Sequence, residues 1–465
     1  MASLTLTTPA EIWRMVFACL SPSDLWAVSL TNRDFRTLAK PFLYAHIEWT
    51  WTVSQTPPIA QFLQCIMQKP EVTSLVQELI LGGDTFDDYE WHNSKYKSPK
   101  LQVCEDLTNQ LVEYIESIHV LHTEEWIQEL RAGSMDAFAT LLISQLPKLK
   151  CLHLGKNFTR ESRLMSMMFC SALCKESESR DRHISSFAHL QDVSAQCPDL
   201  DFNIRRYTDF RNTAGVLSFF YLPSIERLSL SIDNPTSFTW TGKCPPNPSK
   251  LTSLDLTMVR EGHLGQLLSV TRGLRKLKWY WIYRPDIADN FVTDTIDLDQ
   301  IARDLNHIQD TLTDLTIEAG SCGWPGDLYR PPLHFNGSFN LSALHMLERI
   351  KIPLPFVLGF SPSTSNTVHL GEALPKSLEW LTITDDLRFQ EEWEWDLDTS
   401  HLVGVVRSWL QDWRLFTPRL RGFCLSGEDK KQDWQDEMLD GLEDLALEFE
   451  VQIQITGKGY IEVFG

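Results

Sequence analysis

Leu251-Thr252-Ser253-Leu254-Asp255-Leu256 is followed a short interval later by Leu274-Arg275-Lys276-Leu277-Lys278-Trp279. Each stretch has an apolar residue, two variable positions, a second apolar residue, one variable position and a third apolar residue. The second half alternates, as a strand with one buried face does. The same spacing occurs at Val76-Leu79-Leu81, Leu149-Leu152-Leu154 and Ile225-Leu228-Leu230, and more weakly at Leu190-Val193-Ala195. It returns at Leu312-Leu315-Ile317, Leu347-Ile350-Ile352, Leu378-Leu381-Ile383 and Leu420-Phe423-Leu425. No copy can bury its apolar face alone, so neighbouring copies must stack. Helical patterns separate them at 107–121, 264–270, 296–308, 402–413 and 438–447. Strand–helix alternation predicts an α/β fold of parallel strands joined by crossovers. Residues 449–455 alternate as a final strand, and 460–464 form its edge hairpin.

This pattern resembles the strand segment of a leucine-rich repeat. The intervals are uneven, however, and only Leu149 to Asn157 completes the pattern with its turn asparagine. The resemblance implies an irregular solenoid over residues 75–465, in which the side chains between the buried ones form a common face. That face would carry Cys151 and His153, Arg227 and Ser229, and Ser253 and Asp255. Its candidate target-binding residues are Lys276, Lys278, Tyr280, Arg349, Lys351 and Trp380. Lysine and arginine pair with acidic or phosphorylated segments, and exposed aromatics anchor interfaces. The alternative is a solvated sheet face without a ligand. Alternation turns Trp279 and Trp281 inward, so Trp279-Tyr280-Trp281 is read as core rather than as a stacking platform.

The first fifty residues follow a different rule. Thr8-Pro9-Ala10-Glu11 predicts a helix start with Thr8 as its cap, Pro9 at its first position and Glu11 completing a capping box. Ile12, Met15, Val16, Cys19 and Leu20 share one face of that helix, with Trp13 and Phe17 as a second stripe. Ser21-Pro22-Ser23-Asp24 starts a second helix, and Asn32 caps a third that ends near Pro41. The run Pro9-Ala10-Glu11-Ile12, Val16-Phe17, Leu20-Ser21-Pro22-Ser23-Asp24-Leu25, Val28-Ser29-Leu30-Thr31-Asn32-Arg33 and Phe35-Arg36 resembles an F-box over residues 5–47. Thr8 departs from that pattern, which usually has leucine there. The resemblance implies a three-helix module that binds a Skp-family adaptor, and through it a cullin complex, by Pro9, Ile12, Val16, Leu20, Leu25 and Val28. The bland reading is a helical cap on the repeats. The expected layout is an F-box over 1–50, a linker helix region over 51–74 and degenerate repeats over 75–465. The implied function is target recognition for a cullin-based ubiquitin ligase, with a non-degradative scaffold as the rival and an enzyme of unrecognised type behind it.

Composition narrows the partners. Lys plus Arg total 42 and Asp plus Glu 62, a formal charge of −20. Such a chain repels phosphate backbones, so nucleic acid is not an expected ligand. The ten cysteines are scattered without a C-x-x-C pair, which reads as reduced thiols in a cytoplasmic or nuclear setting. Neither a secretory signal nor an apolar run of about 20 residues is present, so no membrane is expected. No spaced-glycine phosphate loop or nucleophile motif is found. His119 and His122 could share a helix edge but lack a partner at zinc-ligand spacing. The acidic run 385–398 lacks the ligand order of a calcium loop, and 353–367 reads as a Pro/Ser-rich loop. No catalytic residue, metal or cofactor is therefore nominated.

Overall fold

A computed structural model describes residues 8–83, 99–118, 120, 122–159, 162–174, 184–196, 213–232, 237–283, 293–321, 332–362, 370–395, 399–427, 436–457 and 460–464. The chain divides into two units. One holds residues 1–197, 214–225 and 240–244, and the other holds 198–213, 226–239 and 245–465.

The first unit opens with helices α1 (Ala10–Phe17), α2 (Pro22–Ser29) and α3 (Arg33–Ala45). Pro9, not Thr8, is the residue before α1, and no side chain caps this helix. Thr8 lies one residue too early for its hydroxyl to act as the cap. The other two starts follow the sequence. The Asp24 amide donates to Ser21 Oγ at 3.2 Å, and the Phe35 amide donates to Asn32 Oδ1 at 2.7 Å. Pro41 does not end α3, which runs on to Ala45. Proline removes one helical hydrogen bond, but Phe42 and Leu43 beyond it pack onto the core formed by Phe17, Leu25 and Ala39.

Strands β1 (His46–Thr50), β2 (Glu78–Gly82), β3 (Cys151–Leu154) and β4 (Asp192–Ala195) follow, paired in parallel and in chain order. Strand β1 precedes the first repeat read from the sequence, and α4 (Ile59–Gln68) lies between β1 and β2. The central apolar residues align across the ladder, Leu79 with Leu152 and Leu152 with Val193, all fully buried. Helices α5 (Glu105–Ile118), α6 (Thr123–Arg131), α7 (Met135–Ser144), α8 (Lys156–Thr159) and α9 (Arg163–Cys174) cover the connections. Turns from successive strands are tied together by Asn157. Its amide donates to Gly83 O at 2.9 Å and its side chain donates to Trp51 O at 2.7 Å.

In the second unit, β5 (Arg227–Ser231), β6 (Ser253–Thr257), β7 (Lys276–Tyr283), β8 (Thr295–Asp297), β9 (Asp314–Ser321) and β10 (His334–Asn336) are followed by β11 (Arg349–Pro353), β12 (Trp380–Thr384) and β13 (Gly422–Ser426). β14 (Gln452–Gly457) and β15 (Tyr460–Phe464) end the chain. All pairings are parallel except the closing β14–β15 hairpin. β8 and β10 form a separate parallel pair, which the sequence pattern does not announce. One buried row runs through Leu228, Leu254, Leu277, Leu315, Ile350, Leu381, Phe423 and Ile453. Each member removes apolar area from water only because its neighbours flank it, which is the cooperative logic of stacked repeats. Trp279 and Trp281 are both fully buried, and their indole N–H groups donate to Val259 O at 2.9 Å and Glu261 Oε2 at 3.0 Å. Residues 354–358, read as part of a Pro/Ser-rich loop, instead form a short helix, Leu354–Leu358, whose buried Leu354, Phe356 and Leu358 supply its anchor.

Candidate functional site

Two surfaces bear the residues singled out by the sequence. On the first unit, the small three-helix core is filled by Phe17, Leu25 and Ala39, with Trp13 and Phe35 stacked around them. The Trp13 and Phe35 rings lie 4.7 Å apart, and those of Phe17 and Phe35 5.6 Å apart. Because Trp13 and Phe17 face inward, the other stripe of α1 faces solvent. Ile12 is 47% exposed, Met15 67% and Val16 43%, and Trp26 of α2 and Leu30 just after it are exposed as well. A soluble chain normally covers large apolar side chains gathered on one element.

Of the six residues implied by the F-box resemblance, Pro9, Ile12 and Val16 are exposed, and Leu20 and Val28 are half-buried against the core. Leu25 is buried and belongs to the core itself. It therefore holds the module together rather than offering a contact. Trp26 lies outside the quoted motif positions, and Leu30 lies within the motif run but not among its six implied contacts. Their signal is an i, i+4 apolar pair on the side of α2 away from Leu25.

On the second unit, Lys276, Lys278, Tyr280, Arg349, Lys351 and Trp380 do share one face, since each occupies a position between buried neighbours. The register sets Lys276 beside Asp314, Asp314 beside Arg349, and Arg349 beside Trp380. The cations, however, are interleaved with carboxylates. Glu318 receives Lys278 Nζ at 3.1 Å and Lys351 Nζ at 2.9 Å, and Asp314 receives Arg349. Burial alone would raise the Glu318 carboxyl, but the hydrogen bonds and charges of Lys351 and Lys278 outweigh it and hold the group below its ordinary range. Asp314 is lowered in the same way, with burial outweighed by Arg349 and Thr313. Asp386, near Lys351, is pushed up to about 6 by burial. The expected basic cluster is thus a mixed ionic ladder. Sequence patterning named its cations but underweighted Asp314 and Glu318, which lie on the strand between them.

The two aromatics of this face lie along the sheet. A Cβ at Gly422 would come within 2.5 Å of the Trp380 ring, and one at Gly320 within 2.5 Å of Tyr280 Oη. Each ring occupies space that a neighbouring glycine leaves open, so both present an edge and a face rather than projecting freely.

The corresponding face of the first unit holds a different group. Cys151 and His153 alternate on β3, and Asp192 lies opposite Cys151 on β4. His153 Nε2 is 3.3 Å from Cys151 Sγ and 3.3 Å from Asp192 Oδ1. The Asp192 hydrogen bond, followed by that of Cys151, raises the His153 pKa to about 10. His122, considered for a shared helix edge with His119, sits before α6 in a left-handed conformation. His119 lies outside the described residues. The acidic stretch 385–398 is described to residue 395, largely as turns.

Residues 53–264 match the family model of a leucine-rich repeat domain. No curated protein matches the chain. Among the described residues, no helix is long and apolar enough to cross a membrane.

Proposed function

We propose that this chain is the substrate-recognition subunit of a Skp–cullin–F-box type ubiquitin ligase. A leucine-rich repeat domain is suited to protein interaction, since its stacked strands present a broad, rigid row of side chains. The observation that carries the finer reading is α1. Its inner stripe, Trp13 and Phe17, completes the module's core, while Ile12, Met15 and Val16 remain outside it. An ordinary helical cap has no use for that outer stripe, whereas an adaptor groove takes it as the apolar face of a docked helix. The chain would supply no chemistry of its own and would act by holding a target near the conjugating enzyme.

The target face in this proposal is the strand surface bearing Lys276, Lys278, Tyr280, Arg349, Lys351 and Trp380. An acidic or phosphorylated segment would exchange with Glu318 and Asp314 for their cations, with Trp380 and Tyr280 as flat aromatic contacts.

The test is co-purification of the full chain with a Skp-family adaptor, beside an Ile12→Asp/Val16→Asp variant. Both positions are exposed, so the variant should fold. Capture by the wild type and its loss in the variant are expected. Equal capture by both, or by neither, would overturn the docking assignment. Adaptor-dependent ubiquitination of a captured target then separates the ligase from a non-degradative scaffold.

A further inference from the structure

We infer that Cys151, His153 and Asp192 form a three-ligand site for a zinc-class divalent metal ion, with its fourth position open to water or to a donor from a bound partner. Among the described residues they are the one group of three or more such side chains whose ligand atoms all lie within 4.8 Å of one another. The convergence follows from strand geometry. Residues two apart on β3 share a face, and the parallel register sets Asp192 beside Cys151. The backbone beneath is rigid, because Leu152, Leu154 and Val193 are buried between the donors, and donors on packed strands hold their spacing better than donors on loops.

The distances fit coordination. Zinc bonds of about 2.0–2.3 Å in a tetrahedron separate neighbouring ligand atoms by about 3.4–3.6 Å. Cys151 Sγ to His153 Nε2 and His153 Nε2 to Asp192 Oδ1 are both 3.3 Å, so each edge needs to open only slightly. The arrangement also argues against a nucleophilic relay. In a Cys–His–Asp relay the two ring nitrogens face different partners, whereas here the thiol and the carboxylate both face Nε2. One ring nitrogen carries a single proton and cannot direct it at two acceptors, while a cation between the three atoms serves all of them. Mixed sulfur, imidazole and carboxylate donors suit zinc rather than calcium or magnesium. On binding, the protons on Sγ and Nε2 leave to solvent.

The test is titration of chelator-treated full-length chain with cobalt(II), followed by competition with zinc. One equivalent of cobalt should bind, with a near-ultraviolet thiolate-to-cobalt absorption band that zinc abolishes. Cys151→Ser should remove the band. Asp192→Asn should weaken cobalt binding at least tenfold, and Cys104→Ser should leave the band intact. Circular dichroism shows that each variant is folded. Absence of the band in the wild type overturns the inference whatever the variants do, and so does a band that survives Cys151→Ser in folded protein.

Discussion

The Arg260–Glu261–Trp281 network sets the most demanding test of the second unit. Arg260 and Glu261 stand at the start of the helix Glu261–Leu268, and the Arg260 side chain is only 3% exposed. Its guanidinium holds Glu261 through two bonds, Nε to Oε2 at 3.0 Å and Nη2 to Oε1 at 3.1 Å. It also donates to Thr293 O and Thr295 O, both at 3.0 Å, and lies 4.5 Å from the centre of the Trp281 ring. Arg260→Met keeps much of the volume but leaves the Glu261 carboxylate buried with Trp281 N–H as its remaining named donor. Breaking one side of a buried pair costs about 3–5 kcal/mol. The helix N-terminus beside Glu261 offsets about 1 kcal/mol of this, and Thr293, which is exposed, regains water on its carbonyl. About 3 kcal/mol is therefore expected. The double variant Arg260→Met/Glu261→Gln buries no unpaired charge and should cost less than Arg260→Met alone. Urea unfolding followed by tryptophan fluorescence reads both values, and adding the single variant Glu261→Gln to wild type and these two completes a double-mutant cycle. Strictly additive costs, or a loss below about 1 kcal/mol for Arg260→Met, would refute the reasoning.

Three further outcomes follow from the first unit. Gly83→Ala should destabilise it by about 1–3 kcal/mol, because Gly83 has φ +131° and a Cβ there would lie 2.3 Å from Trp51 O; an unchanged thermal midpoint would remove the need for glycine in the Asn157-tied turn. Asp136 is raised by burial from 3.8 to about 7 although it accepts from the Leu164 amide at 2.7 Å. Its folded pKa exceeds its unfolded one, so its contribution is fully present below about 3.8 and is lost as pH climbs to about 7, on the order of 4 kcal/mol in all. Stability of Asp136→Asn relative to wild type should therefore rise between pH 4.5 and 7.5, and parallel profiles would contradict the assignment. Leu25→Ala should cost about 2–5 kcal/mol and Ile12→Ala less than about 0.5 kcal/mol, since only the former is core; comparable losses on melting would place Ile12 inside the fold.

What was legible in the sequence is the part governed by short-range alternation. Leu254, Leu277, Leu315 and their counterparts lie on one buried row because a two-residue period has a single consistent reading once neighbours stack. The misses have physical causes. Every residue of helix α7 except Asp136 is buried, and its polar residues form only the narrow row Asp136, Thr140 and Ser144, too little to mark a solvent-facing side of a helix. Strand β1 follows α3 without a break, and Pro41 suggested an earlier end than the packing of the half-buried Phe42 and Leu43 against the core enforces. The strand face was readable in membership but not in charge, because pairing depends on the partner strand. Lys278 and Lys351 stand 73 residues apart in sequence and still meet on one carboxylate, Glu318. This sharing has a consequence for recognition. A rim of free lysines would draw any polyanion, whereas cations already held by Glu318 and Asp314 exchange only with an acidic group placed as well as those two are. On a chain of charge −20, the long-range field opposes anions, so in the proposed recognition any selectivity of this face would rest on the geometry of the ladder more than on net charge.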